Sequence, residues 1–196
     1  MLARLADGLS QRMVANEAIR EEDAALVSFG IVQGLRSLIE MILMIVTGIL
    51  FGLFWQSMVI LLAFIPLRVF AGGYHAKTPL QCAVKTWILF TAVLLWMRSV
   101  QGILWLGLII LAATGICIWR FAPLEDEHKP LEDYEVVKYR KKAVGIYLAE
   151  SILVCCTYVF QFGQISRCIV LGISMVLFVM MAAVVIDKRK QRKSNE

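Results

Sequence analysis

His75 and Cys82 lie seven positions apart in the sequence. Together, a histidine and a cysteine can perform thiol acyl transfer. The thiolate of a cysteine attacks a carbonyl carbon, while an imidazole takes up the thiol proton and returns it to the leaving group. Of the five cysteines, Cys82 is the one outside a hydrophobic interior. Because cysteine is also a common small buried residue, composition alone leaves a catalytic and a structural interpretation about equally open.

The residues just before Cys82 predict the start of a helix. Thr78 suits the N-cap, Pro79 the first helical position and Gln81 the third position of a capping box. Cys82 then lies in the first turn, where the positive end of the helix dipole favours the thiolate.

His75 precedes this helix, in a loop that opens with Gly72 and Gly73. On one continuous helix, seven residues would separate His75 from Cys82 by roughly 10 Å along the axis. Proton transfer requires about 3 Å. We therefore expect the chain to fold back, which the glycine pair and Pro79 permit.

The elements that must position this pair are apolar segments near the length of a membrane span. The chain has 196 residues, 60% of them hydrophobic, and its mean hydropathy is +0.75. This pattern predicts an all-α polytopic membrane protein with about six transmembrane helices in a single membrane domain, residues 1–196. The predicted spans lie near 37–54, 56–70, 83–97, 101–119, 145–161 and 168–186.

Residues 1–35 form a predicted interfacial region, in which 24–35 could extend the first span. Apolar side chains at three- and four-residue steps predict an amphipathic helix in the membrane interface, with a helix packed on its own protein as the alternative. These side chains are Leu2, Leu5, Leu9 and Met13. No secretory signal peptide is visible, so we expect the first span to direct insertion.

The basic residues predict the orientation of the chain. If both termini are cytoplasmic, 18 of the 20 basic residues fall in cytoplasmic segments, including the tail 187–196, and only Arg98 and Arg167 fall outside. The positive-inside rule strongly favours this layout, which requires an even number of spans in the cell membrane and places His75 and Cys82 on the cytoplasmic side. The same distribution argues against a nucleic-acid partner.

Other chemistry is less well supported by the sequence. Two distant histidines and the lack of an H-E-x-x-H motif predict no metal site, and we expect no cofactor. Glu40 and Glu150 lie at or near spans and could supply a third catalytic group, although Glu40 could instead pair with Arg36. His128 is interpreted as a solvated loop residue.

The segment around the pair resembles the AgrB family (accessory gene regulator protein B), membrane peptidases of Gram-positive quorum sensing. The matching positions are Arg68, Ala71, Gly72, Gly73, His75, Ala76 and Cys82. Ala122-Pro123 followed by Lys129-Pro130-Leu131 is similar to the family's loop between the fourth and fifth spans.

The resemblance implies a thiol protease with His75 and Cys82 as its catalytic dyad, and Arg68 and Gly73 at positions that the family needs. We add Gly72 and Thr78 as supporting residues. By the same resemblance, an AgrD-like precursor peptide is cleaved through an enzyme thioester and closed to a thiolactone or lactone autoinducing peptide, and a homodimer is plausible. The alternative is a non-catalytic membrane transporter or scaffold for a small peptide.

Overall fold

The computed structural model describes residues 2–16, 18–72, 79–99, 104–124 and 133–194. Over these ranges the chain forms α-helices and one short 3₁₀ turn at Glu21–Asp23, and no strand. The helices are α1 (Leu2–Ala15), α2 (Ala24–Leu50), α3 (Phe54–Ala71), α4 (Pro79–Ser99), α5 (Leu104–Phe121), α6 (Asp133–Val159) and α7 (Gly163–Ser194). The predicted all-α polytopic class is confirmed.

In the part of the chain that the structure describes, five helical segments are long and apolar enough to cross a membrane. They are Glu21–Leu50, Phe54–Ala71, Gln81–Ser99, Tyr134–Val159 and Gly163–Ile186. The predicted fourth span is represented by the shorter apolar helix Trp105–Phe121. The first span differs most from its predicted range, because α2 begins at Ala24 instead of residue 37 and ends at Leu50.

The chain divides into two compact units, Met1–Val46 and Thr47–Glu196. In the first unit, the Ser28 hydroxyl donates a hydrogen bond of 2.5 Å to the Asp7 carboxylate and so joins α1 to α2. Leu5 and Leu9 remain exposed. The leucine face predicted for the membrane interface is therefore not covered within this unit. The single-domain organisation stays a prediction.

The core of the second unit is the contact of α3 with α7. A Cβ added to Gly172 on α7 would lie 2.7 Å from the Ile60 carbonyl oxygen and 2.8 Å from the Ala63 Cβ, both on α3. Only glycine allows the two helices to approach this closely. Buried apolar side chains such as Leu67 and Ile173 lie on the same two helices.

Contacts along the helices show which helix ends lie together. Tyr147 on α6 donates a hydrogen bond of 2.7 Å to the Leu111 carbonyl on α5, and Ser166 near the start of α7 bonds to Val154 near the end of α6. One end of the bundle consequently carries the end of α3, the start of α4, the end of α5 and the start of α6. We call it the site end, since it carries Cys82.

Exposed aromatic side chains lie near both ends of the helices of the second unit. Those at the opposite end are Phe54, Trp55, Trp96, Trp105, Tyr158, Phe160 and Phe162, and those at the site end are Trp119, Phe121 and Tyr134. Aromatic belts of this kind are typical of the two membrane–water interfaces. This distribution favours a location of the site end at a membrane surface.

Candidate active site at one end of the helical bundle

Cys82 lies in the first turn of α4, which begins at Pro79 as predicted. Its side chain is half-buried, and the sulfur is not part of a disulfide. The Arg68 guanidinium, on the last turn of α3, lies close enough to Cys82 for an electrostatic attraction between the two side chains. Cys82 therefore lies beside a guanidinium and at the N-terminus of a helix.

Two hydrogen bonds fix the beginning of α4. Thr86 donates its hydroxyl to the Cys82 carbonyl at 3.0 Å, which satisfies a polar side chain within its own helix. One residue later, the Trp87 indole donates to the Thr47 hydroxyl at 2.9 Å and ties α4 to the end of α2. Cys82 is thus carried by a helix turn whose position is set by a neighbouring helix.

The end of α3 is joined to the segment that follows α5. The Leu124 amide donates a hydrogen bond of 3.1 Å to the Ala71 carbonyl, and Gly72 and Leu124 form an isolated parallel β-bridge. Gly72 has a φ of +75°, and a Cβ there would lie 2.8 Å from the Leu124 nitrogen. The position requires glycine both for its backbone conformation and for lack of space.

The start of α6 also packs on the last turn of α3. The rings of Phe70 and Tyr139 lie 5.7 Å apart between centroids, inclined at 53°. Lys142 places its ammonium 4.9 Å from the centroid of the same Phe70 ring. Arg140, on the same stretch of α6, donates a hydrogen bond to the Trp119 carbonyl near the end of α5. Helices α3, α5 and α6 thus meet near the end of α3.

Comparisons with known proteins identify the family of the chain. The family model described as Accessory gene regulator B matches residues 5–180. The chain belongs to the AgrB family. It is therefore a membrane protein of an accessory gene regulator family, as the resemblance of its His–Cys segment predicted.

Relatives match along most of their length. An AgrB-like protein of Halalkalibacterium halodurans is 26% identical over 173 residues, which cover 88% of this chain and 86% of the relative. The accessory gene regulator protein B of Staphylococcus carnosus is 24% identical over 162 residues, covering 82% and 83%. An AgrB-like protein of Clostridium perfringens is 22% identical over 164 residues, covering 78% and 77%. No solved structure matches.

The structure places some of the predicted site residues and not others. Arg68 and Cys82 are brought together, and Gly72 ends the helix that carries Arg68. His75 lies outside the described residues, as do Gly73 and Thr78. The pairing of His75 with Cys82 therefore stays a prediction, as does the capping role of Thr78.

The two candidate carboxylates differ in their surroundings. Among the described residues, no ion pair joins Glu40 to Arg36. Glu150 lies on α6 with its Oε2 buried and without a hydrogen-bond partner. It follows Lys142 by eight residues, about 12 Å farther along the helix from the site end. Glu150 is therefore a buried polar group of the bundle interior, away from the end that carries Cys82.

Sequence reasoning missed the residues that surround the end of α3. Phe70, Tyr139 and Lys142 carry no motif, since an aromatic residue and a lysine at helical spacing are common on any interfacial helix. Leu124 did leave a signal, because it directly follows the Ala122-Pro123 block that resembles the family's loop. The structure shows why that block matters to the site, as it leads into the contact with Gly72.

Proposed function

We propose that this protein is a membrane cysteine endopeptidase that cleaves an AgrD-like precursor peptide and closes part of it into a ring. The observation that supports this proposal most directly is the position of the Arg68 guanidinium beside Cys82 at the start of α4. A thiol with a purely structural role needs no neighbouring guanidinium, whereas a nucleophilic thiolate is stabilised by one.

The reaction begins with transfer of an acyl group to Cys82. The Cys82 sulfur attacks the carbonyl carbon of the scissile peptide bond, and His75 takes the thiol proton. As the carbon–nitrogen bond breaks, His75 returns that proton to the departing amine. The C-terminal part of the precursor leaves with a new amino terminus, and the remainder is held as a thioester on Cys82.

Ring closure then releases the enzyme. A cysteine thiol or serine hydroxyl within the bound peptide attacks the thioester carbonyl, passes its proton to the base and expels the Cys82 thiolate. The product is a thiolactone or a lactone, and no external energy source is needed because the thioester preserves the activation of the acyl group. Hydrolysis competes with this step, so the site must limit access of water.

A location at the membrane surface suits both requirements. Cys82 is half-buried at the site end, which also carries exposed aromatic residues on α5 and α6. A peptide whose amphipathic segment lies in that interface covers the thioester from the aqueous side. The basic residues predict that this surface is cytoplasmic, where a newly made precursor is present.

The second candidate function is that of a transporter or scaffold that binds a small peptide without cutting it. Five membrane-spanning helices suit that function equally well. The contact of Arg68 with Cys82 does not, because transport needs no activated nucleophile. The features of the site end therefore favour an enzyme over a transporter or scaffold.

The deciding experiment is co-expression of Cys82→Ala with an epitope-tagged precursor, followed by measurement of the precursor's size. We expect cleavage to be lost while the protein remains in the membrane. Cys156→Ala is the matched control, since it removes an exposed thiol from α6, and we expect normal cleavage. Normal processing by Cys82→Ala would overturn the peptidase proposal and favour the transporter or scaffold.

A variant of the second dyad residue separates chemistry from binding. His75→Ala should retain the precursor in membrane co-purification but neither cut it nor form a thioester. The thioester itself is detected in the unaltered protein as a hydroxylamine-sensitive adduct between protein and peptide. Normal cleavage by His75→Ala would show that the imidazole takes no part in the reaction.

A further inference from the structure

The last turn of α3 is held by contacts that come from outside the helix. Its Ala71 carbonyl accepts the Leu124 amide. Its Phe70 ring packs against Tyr139 and lies under the Lys142 ammonium. These contacts come from two separate segments, one that follows α5 and one at the start of α6, and both reach the same turn.

This turn has a reason to need external support. Pro66 lies inside α3 and has no amide hydrogen, so the Leu62 carbonyl receives no hydrogen bond from it. The residues after Pro66 are therefore joined to the rest of α3 by one helical hydrogen bond fewer. Helices bend or shift most easily at such a point. Contacts on Phe70 and Ala71 restrain the portion of the helix that proline has loosened.

Arg68 lies within that portion, three residues before Ala71. Its partner Cys82 is on a different helix, fixed through Trp87 to Thr47. A displacement of the last turn of α3 consequently changes the separation of the guanidinium from the sulfur. The attraction of a guanidinium for a thiolate weakens with distance, so a shift of about 1 Å lowers the support that Arg68 gives to a thiolate at Cys82.

We propose that Tyr139, Lys142 and the Leu124 amide are positioning residues that clamp the last turn of α3 and so hold Arg68 against Cys82. The proposal rests on the proposed function, in which Cys82 is the nucleophile. It assigns no chemical step to the clamp itself: Tyr139 and Lys142 act through Phe70, and Leu124 acts through Ala71. Loosening the clamp makes Cys82 a poorer nucleophile without removing any reacting group.

The test measures the nucleophilicity of Cys82 directly. Membranes containing each variant are treated with iodoacetamide, and the fraction of the Cys82 peptide that is alkylated is followed by mass spectrometry. We expect Tyr139→Ala to slow alkylation about 5- to 10-fold, the size set by losing one aromatic pair. Tyr139→Phe keeps the ring against Phe70 and should react within about twofold of the unaltered protein.

A double variant distinguishes positioning from general loosening of the fold. If Tyr139 acts through Arg68, then Tyr139→Ala adds no further loss to Arg68→Gln, and the double variant reacts at the rate of Arg68→Gln alone. Multiplication of the two losses, or unchanged alkylation of Tyr139→Ala, would overturn the proposal.

A pair of neighbouring lysines gives a test that does not depend on the aromatic ring. Lys142→Gln removes the charge over Phe70 and should slow alkylation about 2- to 5-fold. Lys141→Gln removes the same charge from an exposed side chain one position away, and should leave the rate unchanged. Equal effects of the two substitutions would show that net charge matters and would overturn the role of Lys142.

Alkylation needs no precursor peptide, so the clamp and the proposed function can fail separately. Normal precursor cleavage by Cys82→Ala would overturn the peptidase while the alkylation rates stand on their own. Slow cleavage by Tyr139→Ala, together with slow alkylation, supports the clamp within a working peptidase. Slow alkylation together with unchanged cleavage would overturn the clamp as a positioning device for the reaction.

Discussion

Replacement of Gly72 by alanine should impair precursor processing while leaving the bundle inserted. Gly72 combines a φ of +75° with a ψ of −157°, a conformation that is nearly restricted to glycine and costs another residue about 1–3 kcal/mol. The added Cβ would also lie 2.8 Å from the Leu124 nitrogen and 3.1 Å from its carbonyl carbon, both of them backbone atoms. Relief of that clash moves the Leu124 segment and sacrifices its hydrogen bond to Ala71, worth about 1 kcal/mol.

These two losses add to about 2–4 kcal/mol against the bridged arrangement. At about 1.4 kcal/mol per factor of ten, the equilibrium constant for the bridged arrangement falls about 30- to 700-fold. The bridge lies at Gly72, four residues after Arg68 and three before His75 in the sequence. We expect the initial rate of precursor cleavage to fall about tenfold or more.

Two other glycines separate the contributions to this effect. Gly52 has a φ of +67° but an added Cβ there meets nothing within 4 Å, so Gly52→Ala carries backbone strain without a clash. Gly145 lies on α6, and a Cβ there also meets nothing within 4 Å. We expect Gly52→Ala to lower thermal stability slightly and Gly145→Ala to change neither stability nor cleavage.

The assay compares cleavage of a tagged precursor in membranes that contain equal amounts of each variant. A cleavage rate for Gly72→Ala within twofold of the unaltered protein would refute the reasoning, because it would mean that the Gly72–Leu124 contact is irrelevant to the site. An equal loss of cleavage rate in Gly52→Ala would show that general destabilisation causes the effect.

Three further outcomes follow from described contacts. Arg68→Gln should slow both Cys82 alkylation and precursor cleavage by about tenfold or more, because it removes an attraction for the thiolate worth about 1.4 kcal/mol or more; unchanged rates would exclude a role for the guanidinium. Trp87→Phe should lower stability in detergent by about 1 kcal/mol through loss of its bond to Thr47, measured by thermal unfolding, and an unchanged midpoint would count against this anchor. Gly172→Leu should prevent accumulation of the protein in membranes by overpacking α3 against α7, as an immunoblot would detect; normal accumulation would contradict the close approach.

The sequence predicted the helical class because runs of apolar residues have few alternatives in a membrane. It predicted the first turn of α4 because Pro79 marks a helix start by its chemistry. Span boundaries are harder to predict: Arg36 and Glu40 interrupt the apolar pattern, which leaves open whether residues 24–35 extend the first span. In the structure one helix runs from Ala24 to Leu50.

The site was only partly predictable for a physical reason. Arg68 could be named from a motif, but its contact with Cys82 depends on how α3 and α4 pack, which local sequence does not encode. The support from Tyr139 and Lys142 is more distant still, about 70 positions along the chain from Phe70. Contacts of that kind arise from tertiary packing and leave no spacing pattern in the sequence.

The packing of Gly172 against α3 has a consequence for biosynthesis. The ribosome delivers α3 and α4 to the membrane long before α7, yet the surface of α3 that α7 covers is complementary to that late helix at the level of single backbone atoms. The contact of α3 with α7 can therefore form only after α7 has been synthesised. A chain that still lacks α7 contains Arg68 and Cys82 but not the helix that packs against α3.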